Sequence, residues 1–334
     1  MYKNSRFLKN GLIITLLYGK ISIYIFPERK GQVMKKQKDP AYISKRKRKF
    51  GDRCEGRRLK KINAITCVMP FLMKKRSDAL NLFADSVEID EAEKLVRRLR
   101  DEGYKNMGLL HVILASYVRV VSQRPALNRF VSGQRIYARH TIDVNMAIKK
   151  ELSLDAPDTM IKARFTPEDT LIDVYEKFNK LVEENNNMES SSDFDGVANA
   201  LTKLPRFVFR FFVWALEKLD YHGWLPKALL NVSPFHGSMI ITSMGSLGIQ
   251  PIYHHIYDFG NLPIFISYGA RRTNLVYDAD GNVTKKHFVD IKVVTDERIV
   301  DGYYYASAFK MLKRIMKNPE QLLTPPETVV EDVD

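Results

Sequence analysis

The sequence predicts an α/β protein of the α+β kind, a two-layer sandwich in which a mixed sheet is backed by helices. Segments with a helical apolar period follow segments that alternate like strands along most of the chain. With 334 residues, 45% of them apolar, the chain can bury one large core or two modest ones. The sequence shows no internal repeat at the periods of solenoid proteins.

The helices are predicted from apolar stripes and from the residues that end them. They begin near residues 90, 109, 167, 204 and 302, and Gly103, Pro125 and Asn185 mark the ends of the first three. Residues 204–216 are the most aromatic piece of the chain, which predicts a buried or subunit-contact helix. Because Arg206 and Arg210 lie on one face, an interfacial membrane helix is the alternative.

The strands are predicted from apolar residues at every second position. Ile142, Val144 and Met146, for example, alternate with polar neighbours. Predicted strands cover residues 141–148, 160–165, 239–243, 263–268, 274–277 and 289–293, with a turn at 278–282 between the last two. The Pro- and acid-rich residues after Pro319 are expected to be frayed.

The formal charge of +14 is concentrated at one end of the chain. Residues 1–61 hold 19 Lys or Arg against four acidic residues, so residues 62–334 are close to neutral. We therefore predict three regions: a basic leader at 1–56, disordered or partly untranslated; a main domain at 57–325 with an inserted helical segment at 188–233; and an acidic tail at 326–334. Two cysteines are too few for a disulfide scaffold and fit a reducing, cytoplasmic compartment.

The leader leaves several interpretations open. Residues 11–26 are apolar but interrupted by Lys20, and they suit a peripheral membrane anchor, an export signal, or a segment upstream of a true start at Met34. The basic run at 45–49 is a solvated arm or a contact for RNA, anionic lipid or a polyphosphate. Nucleic acid is the less favoured partner, because aromatic residues that could stack on bases are sparse there.

Short motifs in a fixed order point to one family. They are Arg-Pro-Ala-Leu-Asn at 124–128, the strand at 142–148, Ile-Ile-Thr-Ser-Met-Gly at 240–245, Asp-Glu-Arg-Ile-Val-Asp-Gly at 296–302 and Asn-Pro at 318–319. From about Arg57 to Pro325 the chain resembles the catalytic domain of the dihydrolipoamide acyltransferases, the core of 2-oxo acid dehydrogenase complexes. It more distantly resembles chloramphenicol acetyltransferase.

The resemblance implies a chloramphenicol acetyltransferase-like mixed sheet and a homotrimer with active sites between subunits. It also implies coenzyme A or acyl-coenzyme A as co-substrate, a small-molecule or carrier-bound acyl acceptor, and no metal. This chain lacks the lipoyl-attachment motif Asp-Lys-Ala, so we expect a stand-alone acyltransferase rather than the core of a dehydrogenase complex. The alternatives are a catalytically inactive trimer that serves as a binding or scaffold protein, and a thioester hydrolase.

The family's heptapeptide carries a histidine that removes the thiol proton, but this chain has Glu297 in its place. A carboxylate is about two pKa units less basic than imidazole, which adds roughly 3 kcal/mol to the same proton transfer and slows it about a hundredfold. The resemblance further assigns the oxyanion-stabilising hydroxyl to Thr242 or Ser243. It gives Asp301 a role in local geometry and lets Gly302 turn the chain tightly into the last helix.

Other histidines could replace the missing base. His254 and His255 follow the Thr242–Ser243 strand by about a dozen residues, and His236 lies just before it. Adjacent histidines more often serve as hydrogen-bonded loop groups, and the sequence offers no third ligand at metal spacing. The candidate catalytic residues are therefore Glu297, Asp301, Thr242, Ser243, His254 and His255, without residues assigned to coenzyme A.

Overall fold

The computed structural model describes residues 12–17, 20–25, 48–149, 158–186, 203, 205–277 and 280–333. Residues 1–41 and 42–334 form separate units. In the first unit, β1 (Leu12–Leu17) and β2 (Lys20–Ile25) pair as an antiparallel hairpin, in the segment that suits an anchor or a signal from its sequence. None of the helices within the described ranges has both the length and the apolar character that crossing a membrane requires.

The second unit carries the main sheet and the helices. Its helices are α1 (Ala64–Leu72), α2 (Asp90–Asp101), α3 (Leu109–Gln123), α4 (Leu171–Asn186), α5 (Arg206–His222), α6 (Lys227–Val232) and α7 (Gly302–Lys317). Its strands are β3 (Gly56–Arg58), β4 (Leu80–Glu88), β5 (Arg129–Ser132), β6 (Arg135–Arg139), β7 (Ile142–Lys149), β8 (Asp158–Phe165), β9 (Met239–Ser243), β10 (Ile264–Tyr277) and β11 (Val283–Asp296).

The main sheet is mixed and has the strand order β4-β11-β10-β9-β7-β8. Strand β9 runs parallel to both β7 and β10, whereas the other neighbours are antiparallel. A smaller sheet has the order β3-β6-β5. Helices pack on one face of the main sheet, so the predicted two-layer fold of a mixed sheet backed by helices is confirmed.

The two faces of the sheet have different coverings. Ile241, Ile266 and Ile291 point to the helices and join the large core. Between these positions, Ile240 and Phe265 point to the opposite face, where they meet Ile256 and Leu262 from the loop that follows β9. Helix α3 lies in the large core and is buried over residues 111–122, as its continuous apolar sequence predicts.

The aromatic segment forms α5, but the prediction that this helix is buried is wrong for the protomer. No residue of α5 is fully buried, and several of its aromatic side chains are exposed. A loop precedes the helix at Pro205, and Gly223 ends it in the left-handed conformation with φ of 71°. The subunit-contact and interfacial alternatives stay predictions.

Both ends of the main unit are tied to its core. The expectation of a frayed end after Pro319 is wrong, because Pro319–Leu323 forms a 3-10 helix with Leu322 buried. Further on, the Val330 N–H donates to the carbonyl of Ser122 at 2.8 Å. At the other end, the Glu55 carboxylate accepts a hydrogen bond from buried Arg139 at 3.1 Å, so the last residues of the leader contact the body.

Candidate active site

The heptapeptide at 296–302 joins the end of β11 to the start of α7, and a buried ion pair fixes its first residues. Asp296 is 1% exposed and accepts from Arg298 Nε at 2.8 Å and from another guanidinium nitrogen at 2.7 Å. Arg76 Nε lies 3.5 Å from the same carboxylate. Burial lowers the pKa of Arg76, and the adjacent carboxylate of Asp296 opposes that shift.

Both arginines also donate hydrogen bonds to backbone carbonyls outside the heptapeptide. Arg298 donates to the Met73 carbonyl at 3.2 Å, and Arg76 donates to the carbonyls of Tyr257 and Gly260 at 2.5 and 2.7 Å. The heptapeptide is thereby joined to the segment before β4 and to the loop that precedes β10. The role of Arg76 could not be predicted, because Lys74-Lys75-Arg76 resembles a solvated basic run.

Glu297 points away from this buried cluster. Its backbone N–H donates to the Ala79 carbonyl at 2.9 Å, while its side chain is exposed. The carboxylate borders a cleft of about 620 Å³ between β4 and α7. Among the described residues it has no hydrogen-bond or ion-pair partner. Glu297 therefore has the access that a proton-transfer group needs.

The cleft has an apolar wall next to the carboxylate. Phe83, Thr295, Tyr305 and Phe309 line it, and the same four residues also line an apolar cavity of about 50 Å³ between the sheet, α3 and α7. On the polar side the cleft contains Lys310 and Asp85. A charged group and an apolar group of one ligand can both be accommodated here.

Tyr305 links the cleft to the buried pair. Its hydroxyl donates to the backbone carbonyl of Asp296 at 2.9 Å, and its side chain is 6% exposed. Burial raises the pKa of this phenol well above its usual value, and the negative charges of Asp296 and Glu297 act in the same direction. The group is a permanent hydrogen-bond donor at neutral pH, a role that no sequence motif announced.

Asp301 serves as the N-cap of α7. Its carboxylate accepts from the Tyr304 N–H at 2.8 Å, which satisfies one of the free donors at the start of the helix. The role in local geometry that the resemblance gives to Asp301 thus has a concrete form. At Gly302 a β-carbon would meet nothing within 4 Å, so the space around this position does not by itself require glycine.

Thr242 and Ser243 are neighbours on β9 and therefore point to opposite faces of the sheet. Ser243 points to the helices and shares a hydrogen bond with the phenol of Tyr268, which pairs with it in the register. Thr242 pairs with Ser267 and lies on the face that carries Ile240 and the loop after β9. Of the two hydroxyls, the one on the loop-covered face is that of Thr242.

Within one protomer, Glu297 does not meet these hydroxyls. Strand pairing aligns Ser243 with Tyr268 and then Ile291, four residues before Thr295 on β11. Four strand residues correspond to about 13 Å, and the two strand spacings from β11 to β9 add about 10 Å in the perpendicular direction. A site that uses both groups needs two copies of the chain.

The candidate histidines lie in two different environments. His254 stacks on Phe265 with ring centroids 4.4 Å apart, and its Nε2 is buried without a hydrogen-bond partner among the described residues. Burial, followed by the charge of His255, lowers the pKa of His254. His255 is exposed and contacts Tyr257 edge-on.

His236 has a structural position. It is 1% exposed, with Nδ1 2.8 Å from the Ser233 hydroxyl and Nε2 3.2 Å from the Asp220 carboxylate. The histidine joins the end of α5 to the segment before β9, where a substrate has no access. In the described ranges, no group of three or more His, Cys, Asp or Glu side chains is placed to hold a metal ion.

Comparisons with known proteins identify relatives of part of the sequence and of the fold. Residues 228–324 match the family described as 2-oxoacid dehydrogenases acyltransferase (catalytic domain), a range that includes every candidate catalytic residue. The probable dihydrolipoamide acetyltransferase of Listeria monocytogenes superposes with a TM-score of 0.50 and 14% identity, over 81% of this chain and 97% of that one. The fold is that of a dihydrolipoamide acetyltransferase catalytic domain.

Two further structures agree with this assignment. The dihydrolipoamide acetyltransferase of Azotobacter vinelandii has a TM-score of 0.51 at 14% identity, over 79% of this chain and 90% of that one. The cubic core of the pyruvate dehydrogenase multienzyme complex has a TM-score of 0.50 at 13% identity, over 79% and 94%. No curated protein matches the sequence.

Proposed function

We propose that this protein is a stand-alone, coenzyme A-dependent acyltransferase that works as a homotrimer and uses Glu297 as its base. The observation that carries the proposal is the exposure of this carboxylate in a cleft, between two residues that are buried and paired with each other. Among the described residues Glu297 has no ion-pair partner, so it does not stabilise the fold through such a contact. The acceptor is a small molecule or a carrier-bound group with a thiol, hydroxyl or amine nucleophile.

In the proposed reaction the acceptor attacks the thioester carbonyl of acyl-coenzyme A. Glu297 takes the acceptor proton as the new bond forms, and the carbonyl oxygen becomes an oxyanion that accepts a hydrogen bond from the Thr242 hydroxyl of a neighbouring subunit. Collapse of the tetrahedral intermediate breaks the carbon–sulfur bond. The proton then passes to the leaving thiolate, which gives free coenzyme A and the acylated acceptor.

The need for two subunits follows from the register of the sheet. Glu297 lies beyond the end of β11, several residues past the position that pairs through β10 with Thr242 on β9. One chain therefore does not bring the two side chains together. A cubic assembly like that of the pyruvate dehydrogenase core contains three-fold axes. Around such an axis the cleft of one protomer can face strand β9 of the next, which supports a trimer.

The comparison with the Azotobacter enzyme supports a catalytic role for the loop that contains Glu297 and Asp301. In that enzyme, a histidine and an asparagine four residues apart have been investigated for their roles in the catalytic mechanism. Glu297 and Asp301 have the same spacing here and also belong to the loop that starts α7. We propose that Asp301 orients the loop through its helix cap, while Glu297 transfers the proton.

His254 is the alternative base in this proposal. It lies on the same sheet face as Thr242, its Nε2 has no partner within the described residues, and its lowered pKa keeps the ring neutral at pH 7. Substitutions at His254 and Glu297 distinguish the two bases.

An inactive trimer that binds or scaffolds other molecules is the second candidate. Two residues that are expected to be catalytic already make structural hydrogen bonds, which favours this candidate. Ser243 bonds to Tyr268, and Asp301 accepts from the Tyr304 N–H. In this case the cleft would bind a ligand without converting it. Measured turnover separates the two candidates.

The direct test is thiol release from acetyl-coenzyme A and longer acyl-coenzyme A with a panel of thiol, amine and hydroxyl acceptors. The wild type is compared with Glu297→Ala, Glu297→His and His254→Gln, and the exposed Glu217→Ala serves as a matched control.

We expect Glu297→Ala to lose about two orders of magnitude in kcat, and Glu297→His to retain or exceed wild-type activity. Equal turnover in wild type and Glu297→Ala would exclude Glu297 as the base, and no turnover with any acceptor supports the scaffold.

Shared sites can be tested by complementation. Thr242→Ala and Glu297→Ala are each expected to be nearly inactive. In trimers assembled from an equal mixture, about a quarter of the sites contain an intact Glu297 from one chain and an intact Thr242 from the next. Recovery of activity near this level supports a site between subunits, whereas no recovery in mixed trimers contradicts it.

A further inference from the structure

Helix α5 and the residues directly after it carry a cluster of exposed aromatic side chains, none of which lines the cleft of Glu297. We call it the aromatic surface. It consists of Phe207 (75% exposed), Phe211 (56%), Trp214 (53%), Tyr221 (45%) and Trp224 (69%). Phe207, Phe211 and Trp214 are spaced by four and three residues, so they form one stripe on the helix.

The opposite side of α5 packs against the rest of the main unit. Phe209, Phe212 and Leu216 are half-buried there, which accounts for the docking of the helix without the aromatic surface. A contiguous aromatic patch in water is unfavourable, since each exposed ring could bury 150 Å² or more on contact with an apolar phase. The patch therefore indicates an interaction.

Basic residues surround the patch at both ends. Arg206, Arg210 and Lys218 are exposed on the helix itself, where Glu217 is the exposed acidic group. At the C-terminal end, a cleft of about 760 Å³ places Arg48, Lys49 and Arg135 next to Tyr221 and Trp224. The partner of this surface must combine an apolar layer with negative charge.

The helix is held firmly in this position. The Arg53 guanidinium donates to the carbonyls of Tyr221, at 2.6 Å, and of His222, which are free acceptors at the end of α5. A side chain at Gly223 would overlap with Arg53, so this contact requires the glycine. The Tyr221 hydroxyl also donates to Gln134 at 2.9 Å. The aromatic stripe is thus presented without any unfolding.

The chemistry of the surface fits a lipid bilayer better than a second copy of the chain. Aromatic residues and Arg are common in protein interfaces, but a two-fold contact between two α5 helices would bring the basic residues of both copies into one interface, where Glu217 is the exposed acidic group that each helix offers. At a membrane surface, aromatic rings occupy the boundary between head groups and acyl chains while Arg and Lys contact lipid phosphates. Each basic residue also gains from the negative potential of anionic lipids.

We propose that α5 binds the surface of an anionic membrane, with its axis parallel to the bilayer and Phe207, Phe211, Trp214 and Trp224 inserted among the head groups. Arg206, Arg210, Arg48 and Lys49 contact lipid phosphates. The interaction is peripheral and reversible by salt. It is independent of the catalytic proposal, because none of these residues lines the cleft of Glu297.

The chain has an internal reporter for this contact, since its two tryptophans, Trp214 and Trp224, both belong to the aromatic surface. The full chain is mixed with vesicles of phosphatidylcholine alone or with added phosphatidylglycerol, and both tryptophan emission and co-sedimentation are measured. We expect a blue shift and sedimentation with the anionic vesicles only, and a loss of both at high salt.

Variants assign the binding to α5. Phe207→Ser with Phe211→Ser, and separately Arg206→Glu with Arg210→Glu, should each weaken vesicle binding at least about tenfold. The matched control is Leu275→Ser with Tyr277→Ser, which removes exposed apolar side chains from β10 (59% and 69% exposed) and should leave binding unchanged.

Other results would overturn the proposal. If both α5 variants bind anionic vesicles as tightly as the wild type, another part of the chain, such as the leader, is responsible. If the wild type ignores vesicles but forms oligomers that Phe207→Ser with Phe211→Ser dissociates, the surface is a contact between copies of the chain. A shift that is equal with neutral and anionic vesicles would exclude the role of the basic residues.

Discussion

Asp296 and Arg298 form a buried ion pair on either side of an exposed residue, Glu297. The two side chains are 1% and 3% exposed and are joined by hydrogen bonds of 2.7 and 2.8 Å. Because both neighbours point inward and are held by Arg76 and by the carbonyls of residues 73 and 74, the side chain between them must point outward. The fold thus presents position 297 to the cleft whatever residue occupies it.

This arrangement predicts a large loss of stability at one acidic residue and almost no change at its neighbour. Asp296→Asn leaves two buried guanidiniums without a counter-charge and should lower the free energy of unfolding by about 3–5 kcal/mol. Glu297→Gln changes an exposed side chain and should alter it by less than about 0.5 kcal/mol. Urea denaturation of both variants measures the difference. A similar loss for both would mean that Glu297 belongs to the buried network.

The sequence was sufficient for most of the main sheet, the helices of the core and the heptapeptide, because these depend on local periodicity and on short motifs. It missed the edge strand β4 and predicted the single strand β10 as two strands. Strand β9 was predicted over its full length, 239–243, and helix α7 nearly so. The sequence could not show that Arg76 completes the heptapeptide, since this contact joins residues 220 positions apart. Nor could it decide between Thr242 and Ser243, which only the pairing of Ser243 with Tyr268 separates.

The tail offers a second pair of neighbouring acids with different environments. Asp332 accepts two hydrogen bonds from Arg129, at 2.6 and 2.7 Å, and both side chains are nearly buried. A two-pronged contact of this kind is stronger than an ordinary surface ion pair. Asp332→Asn should therefore cost about 1–2 kcal/mol, whereas the exposed Glu331→Gln should have no measurable effect.

Thermal unfolding of these variants and of a chain that ends at residue 325 gives the measurement. The shortened chain also loses the bond from Val330 to the Ser122 carbonyl, so we expect it to be less stable than Asp332→Asn. A shortened chain with wild-type stability would show that the tail does not contribute. Sequence composition predicted a frayed tail because Pro and acidic residues are typical of solvated ends. The contact with Arg129, which is distant in the sequence, instead attaches the tail to the main unit.

The contact between Asp220 and His236 should control how firmly α5 is attached. Asp220→Ala removes the partner of a nitrogen on a histidine that is 1% exposed, which should cost about 1–3 kcal/mol. Hydrogen exchange of the α5 amides should accelerate more than that of α3. Glu217→Ala, one turn earlier and exposed, is the control and should leave exchange unchanged. Equal exchange in both variants would show that other contacts hold the helix.

His111 should make the protein sensitive to mild acid. It is 5% exposed, its Nδ1 accepts from the Gly108 N–H at 3.0 Å, and its Nε2 therefore carries the proton that it donates to Asn179 at 3.3 Å. Burial lowers its pKa, which the hydrogen bonds with Asn179 and Gly108 only partly oppose. Protonation of Nδ1 would break the contact that caps α3.

The direction of the effect follows from the two states. Above pH of about 6.5 the imidazole is neutral in both the folded and the unfolded chain, so it does not affect the balance. Below that value the unfolded chain binds a proton that the folded chain does not bind, and stability falls as the pH decreases towards the lowered folded pKa.

His111→Gln can keep a hydrogen bond to Gly108 without a charge, so the variant should lose less stability than the wild type between pH 7 and 5. Urea midpoints measured across this range test the prediction, with His222→Gln, at an exposed site, expected to follow the wild type. Parallel curves for wild type and His111→Gln would remove His111 as a source of acid sensitivity.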